Sequence, residues 1–179
     1  MKGVVLLKLW KTDLENYIEN LYLSIDVFKP SQIDPETVAA RLGIALRYEA
    51  LPSKCLMIDG VCYIFLDERL SDHEQKRYFC HELCHALLHV GSQRNMPLSF
   101  RQLQEWRATN FMQQACVPTF MLEKVIQGIR FESHAVNAIA KAFSVEHDLA
   151  SKRLQQYLRM KKEQEFFYQM QQLLTNQKY

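Results

Sequence analysis

Glycine and proline are scarce in this chain, at five residues each out of 179. A collagen-like or low-complexity chain needs far more of both. Charge of one sign is missing too: 22 Lys and Arg stand against 20 Asp and Glu, a net charge of +2. That balance supplies no general basic field for holding nucleic acid. No apolar run reaches the roughly 18 residues that a bilayer span requires. The opening Met1-Lys2-Gly3-Val4-Val5-Leu6-Leu7 starts like a signal peptide. Lys8, Lys11, Asp13 and Glu15 then cut its apolar core short, and no small-residue cleavage site follows. The cysteines (Cys55, Cys62, Cys80, Cys84 and Cys116) are odd in number and cannot all pair. A secreted disulfide scaffold is therefore excluded, and a reducing compartment is the expectation. The reading is a cytoplasmic protein with no membrane association. What is present is ordinary: 48% hydrophobic and 23% charged residues, at a length that suits one domain with a helical appendage.

The patterning predicts helix, strands, then helices. Leu14, Ile18, Leu21 and Tyr22 recur at helical spacing within residues 9–23. Asp34, Pro35 and Glu36 open a second helix, and Gly43 stops it. Strand-like runs follow at 44–48, 55–58 and 61–66, the last two joined by Asp59-Gly60, a strong two-residue hairpin signal. Ser71-Asp72-His73-Glu74 fits a capping box opening a helix that runs to Val90, with Gly91 as its stop. That helix is apolar around most of its circumference, so it should lie near the centre of the fold. Ser99-Phe100-Arg101-Gln102 reads as a second capping box, for a helix ending near Val117-Pro118. Further helices are expected at about 119–127, 133–143 and 146–174. The order predicts an α+β domain, with a small antiparallel or mixed sheet on a central helix. The expected division is a domain at 1–130 and a C-terminal helical extension at 131–179.

The chemistry is concentrated in the helix that starts at Ser71. It contains His81-Glu82-Leu83-Cys84-His85, an HExxH motif. Residues four apart on a helix differ by only about 40° in direction and about 6 Å along the axis. Both imidazoles can therefore converge on one zinc ion, while Glu82, turned by one residue, is placed to act as a general base. A catalytic zinc takes three protein ligands and keeps an open position. His89 continues the spacing, but it would lie about 12 Å from His81 along a straight axis. The third ligand must come from elsewhere: Glu105 in the next helix is the best candidate, with Glu123 as runner-up.

At this point the chain resembles a known family. His81-Glu82-Leu83-Cys84-His85-Ala86-Leu87-Leu88-His89, then Glu105-Trp106-Arg107-Ala108-Thr109-Asn110-Phe111, then Cys116-Val117-Pro118, look like the ImmA/IrrE metallopeptidases. These are short gluzincin-like enzymes with a zincin-like fold, and the similarity spans about residues 30–155. On that resemblance Glu105 is the third zinc ligand, beside His81 and His85, and Glu82 is catalytic. Three positions depart from the pattern. Cys84 replaces a usual Gly, Arg107 stands where an acidic residue is common, and Thr109 replaces a common Asn. The resemblance also implies a biological role. Such proteins are encoded by phages and mobile elements beside a helix-turn-helix repressor, and they cut that repressor at one site to relieve repression. The oxyanion-stabilising group is not identifiable from the residues; Tyr63, Tyr78 and His89 are the candidates.

Two other function classes compete. Ala138 to Val145, followed by Ala150 and Arg153-Leu154, has helix-turn-helix spacing. Its recognition helix would open with Glu146-His147-Asp148, whose carboxylates repel a phosphate backbone, so two packed helices are expected and no direct nucleic-acid contact. The alternative to a peptidase is a zinc-containing interaction module with little activity. Lys152, Arg153, Arg159, Lys161 and Lys162, followed by Phe166, Phe167, Met170, Leu173 and Leu174, form an amphipathic run. It is expected to pack back on the domain, with docking or dimerisation as the alternative. Cys80, Cys84 and Cys116 are read as packing residues, and His73, His134 and His147 as surface or capping residues.

Overall fold

A computed structural model of the chain describes residues 11–88 and 96–176. Its first helix, α1 (Asp13–Ser24), is set by Thr12. The Thr12 hydroxyl accepts the Glu15 backbone N–H at 3.2 Å, and the Glu15 carboxylate accepts the Thr12 N–H at 2.8 Å. This reciprocal cap satisfies two orphan donors and starts the helix later than the apolar spacing alone suggests. The expected start at Leu9 lies outside the described residues. A short 3₁₀ turn (Pro30–Gln32) leads to α2 (Pro35–Leu42). Asp34 caps α2 through the Thr37 N–H at 2.8 Å, and Gly43 closes it at φ 69°, a left-handed conformation that side chains resist.

Three strands follow: β1 (Ala45–Glu49), β2 (Lys54–Ile58) and β3 (Val61–Asp67). Asp59 and Gly60 both have positive φ, 51° and 79°, which is the turn twist that a two-residue hairpin requires. The turn fixes the register, pairing Ile58 with Val61, Met57 with Cys62 and Cys55 with Ile64. β1 lies on the other side of β3 and runs parallel to it, so the sheet is mixed, in the order β1-β3-β2. Ile64 and Leu66 on β3 are fully buried, while Tyr63 and Phe65 stack on each other on the opposite face.

The buried face of the sheet meets α3 (Asp72–Leu88). Ser71 and Glu74 form the expected capping box, with the Ser71 N–H and hydroxyl both donating to the Glu74 carboxylate. Phe79, Cys80, Leu83 and Cys84 bury one side of this helix, and Lys76 reaches the carbonyl of Phe143. The centrality expected of this helix is therefore real. The predicted stop at Gly91 lies outside the described residues.

α4 (Leu98–Cys116) packs beside α3 and buries Ala108, Phe111, Ala115 and Cys116. The capping box expected at Ser99 does not form. The helix already begins at Leu98, and Ser99 sits inside its first turn. Pro97 stands in the cap position, and its carbonyl accepts the Phe100 and Arg101 N–H groups at 3.0 and 3.1 Å. α5 (Thr119–Ile126), α6 (Glu132–Phe143) and α7 (His147–Asn176) complete the chain. One buried cluster joins Ile18 of α1, Ile64 of β3, Leu83 of α3, Phe111 of α4, Phe143 of α6 and Leu154 of α7. The fold is α+β, with seven helices and a three-stranded sheet among the described residues.

Arg153, part of the basic run in the sequence, is 1% exposed. On the distal half of α7, Phe166, Met170, Leu173 and Leu174 are exposed. Glu146, at the entrance of the helix-turn-helix-like pair, is held by Arg77 of α3 at 3.0 Å.

Tyr22 shows how tightly α1 is tied to α4. Its ring is fully buried, and its hydroxyl donates to the Ala115 carbonyl at 2.9 Å, one residue before α4 ends. Carbonyls of a last turn have no intrahelical partner. Tyr22→Phe removes the donor and leaves that acceptor buried, which is expected to cost about 1–3 kcal/mol. A urea-denaturation midpoint indistinguishable from the parent would show that the bond contributes nothing.

Candidate metal centre

α3 presents His81, Glu82 and His85 on its less buried side, away from Phe79, Cys80, Leu83 and Cys84. The spacing of four brings the imidazoles together: their ring centroids lie 5.0 Å apart, and their Nε2 atoms 3.2 Å apart. α4, packed alongside, delivers Glu105. Its Oε2 lies 3.1 Å from His81 Nε2, and its Oε1 lies 3.5 Å from His85 Nε2. The three side chains thus offer one donor atom each, all within 4.8 Å of one another.

These distances carry a chemical meaning. Two donors about 2.0–2.1 Å from a tetrahedral ion are separated by about 3.3–3.4 Å. The Nε2–Nε2 separation of 3.2 Å is close to that edge length, and each imidazole has one carboxylate oxygen of Glu105 at 3.1 or 3.5 Å. Two imidazole nitrogens and one carboxylate oxygen are also a donor set that zinc accepts in catalytic sites. The residues fit a divalent metal, with room for a fourth ligand where Glu105 is half exposed.

Glu82 lies next to this cluster without joining it. Burial pushes its carboxyl up to about 7; the Cys55 backbone N–H donating to it pulls the other way, and the negative charge of Glu105 adds to the rise. A carboxyl in that range can both accept and return a proton near neutral pH. Cys55 belongs to β2, so the sheet as well as α3 positions this group.

The other sequence candidates fall elsewhere. Glu123 on α5 is not part of the cluster; the charges around it are Lys11, Lys161, Glu19 and Glu15, and burial raises its pKa. Tyr63 stacks on Phe65 at 6.1 Å on the outer face of the sheet, turned from α3. Tyr78 sits one turn before Glu82 on α3 and is exposed, with the Arg77 guanidinium 5.7 Å from its ring. His89 lies outside the described residues. Cys80, Cys84 and Cys116 are fully buried packing residues, and His73, His134 and His147 are at the surface. The part of Cys55 escaped the sequence reading, because a main-chain donor leaves no mark in residue type.

Residues 39–155 match the family model described as Peptidase_M78, the IrrE N-terminal-like domain. The chain is 39% identical over 148 residues to the phage-like element PBSX protein XkdA of Bacillus subtilis (strain 168), covering 83% of this chain and 74% of that protein. It is 38% identical over 146 residues to the uncharacterized protein YqaB of the same organism, covering 82% and 84% respectively. Among the described residues, no helix is long and apolar enough to cross a membrane.

Proposed function

Because the chain belongs to the IrrE N-terminal-like family of M78 peptidases, we propose that it is a zinc-dependent endopeptidase that cuts a helix-turn-helix repressor at one site and so relieves repression. The observation that carries this reading is the meeting of His81, His85 and Glu105, with Glu82 next to His81 on the same turn of α3. The similarity to a protein of a phage-like element supports the regulatory setting.

His81, His85 and Glu105 would hold the metal. Bound there, zinc supplies Lewis-acid activation of water and of the peptide carbonyl. Glu82 takes the proton from the attacking water on a carboxylate oxygen and passes it to the leaving amide nitrogen. β2 binds the substrate backbone. In a two-residue hairpin the pair flanking the turn is hydrogen-bonded, so Ile58, Leu56 and Lys54 turn their polar main-chain groups toward β3. The main-chain groups of Met57 and the carbonyl of Cys55 then face the edge that no described strand covers, where an extended segment can add as a further strand, while the Cys55 N–H is taken by Glu82. The Cys55 N–H toward Glu82 is consistent with that direction.

The test is incubation with the helix-turn-helix protein encoded beside this chain's gene. A single cut that disappears with chelator and returns with added zinc is expected. A regulator that binds but stays intact in the presence of zinc would replace the peptidase with a zinc-containing interaction module.

A further inference from the structure

We propose that Cys55 and Cys62 are a modification site, a thiol pair that a small disulfide oxidant converts to a reversible bridge, displacing the main chain that positions Glu82. The inference rests on Glu82 being the proton carrier of the proposed peptidase. The hairpin places the pair: Cys55 is opposite Ile64 and Cys62 is opposite Met57, so the two cysteines are diagonal neighbours on the α3-facing side. Their sulfurs are 3.7 Å apart. Both are half-buried, whereas Cys80, Cys84 and Cys116 are enclosed in the core. A dissolved oxidant therefore reaches this pair first.

Bridging them moves backbone. A disulfide needs about 2.05 Å between sulfurs, so these must close by roughly 1.6 Å. Diagonal residues of an antiparallel pair have Cα atoms about 7–8 Å apart, beyond the usual disulfide range of about 4.4–6.8 Å. Some of the closure must come from the strands. β3 is held on both sides by β1 and β2, whereas β2 has one neighbour among the described residues, so β2 yields. Its Cys55 N–H, which donates to the Glu82 carboxylate, is carried with it. A bridge formed against the sheet geometry is also readily reduced again.

The chemistry balances by exchange. A thiolate of the pair attacks one sulfur of oxidised glutathione and expels one glutathione thiolate. The second cysteine attacks the mixed disulfide and expels the other. The two cysteine protons end on the two glutathione thiols, the cysteines are oxidised by two electrons, and the reagent is reduced by two.

Residues 55–69 lie between Lys54 and Arg69 and carry both cysteines without any other, so one tryptic peptide reports the bond. The metal-loaded full chain is treated with oxidised glutathione, capped with an alkylating agent and mapped by mass. The peptide is expected to lose two hydrogens and to resist alkylation. Repressor cleavage is expected to fall by about 100-fold, as for a base displaced by an ångström, and to return with dithiothreitol. Cys62→Ser is expected to keep basal activity and lose the oxidant response. Glutathione adducts without the internal bond would overturn the proposal, as would a bridged protein that cleaves at the reduced rate. The mapping does not depend on activity: a bridge in a protein that cuts nothing sinks the peptidase reading and the proposed control of it, while an active enzyme without a bridge sinks this inference alone.

Discussion

Glu82→Gln is expected to slow repressor cleavage by about 10²–10⁴-fold while the protein still binds one metal ion. The expectation is sharp because the substitution changes one property. Glutamine keeps the length of the side chain, and its carbonyl can still accept the Cys55 N–H, but it cannot take a proton. His81, His85 and Glu105, whose donor atoms define the metal cluster, are untouched. Metal content measured on the purified variant separates loss of the proton carrier from loss of the ion. Parent-like cleavage by a metal-replete Glu82→Gln protein would end the mechanism. Loss of metal along with activity would instead show that Glu82 supports the site structurally.

Arg153→Ala is expected to destabilise the fold by about 3–5 kcal/mol, a large part of the roughly 5–15 kcal/mol that holds a domain together. The guanidinium is 1% exposed and fully engaged. It donates to the Val117 carbonyl at 3.1 Å, to the Thr119 hydroxyl at 3.1 Å and to Gln156 at 2.7 Å. Thr119 in turn donates to Glu15, whose carboxylate is buried at the start of α1. Burial draws the Arg153 pKa down to about 10, which still leaves it charged at neutral pH. Removing it takes away a positive charge near the buried Glu15 carboxylate, which keeps its Thr12 and Thr119 donors, and frees the carbonyl between α4 and α5. Denaturant midpoints measure the loss, and pairing Arg153→Ala with Glu15→Gln is expected to cost less than the sum of the two single changes. A single-variant loss below about 1 kcal/mol would mean that the network is solvated rather than buried.

Much of this was legible in the residues because local chemistry determined it. Asp34 and Gly43 bracket α2, Ser71 and Glu74 cap α3, and Asp59-Gly60 sets the hairpin, each through a contact within a few positions. The approach of His81 and His85 follows from helical spacing, and Glu105 arrives because α4 packs on α3. What stayed hidden depended on distant partners. Arg153 stands in a basic run, and only Ala150, Leu154 and Tyr157 at helical spacing mark its place on the apolar face. Its partners come from α1 and α5, far away in the chain. Likewise the parallel pairing of β1 with β3 is set by how both strands meet α2 and α3, which no short pattern records. The juxtaposition of Cys55 and Cys62 was within reach, since a two-residue turn dictates which residues share a face.

The edge of β2 that no described strand covers has a consequence for solution behaviour. Leu56, Met57, Ile58 and Val61 around it are exposed, with Met57 at 66%. Proteins usually blunt such an edge with proline, a bulge or inward charges. Among the described residues of the hairpin, Lys54 at one end and Asp59 at the other guard it. A strand that is left free to receive a substrate is equally a seat for the same strand of another copy. Self-association by edge pairing is therefore expected to begin at this hairpin, in a molecule whose overall composition gives no warning of it.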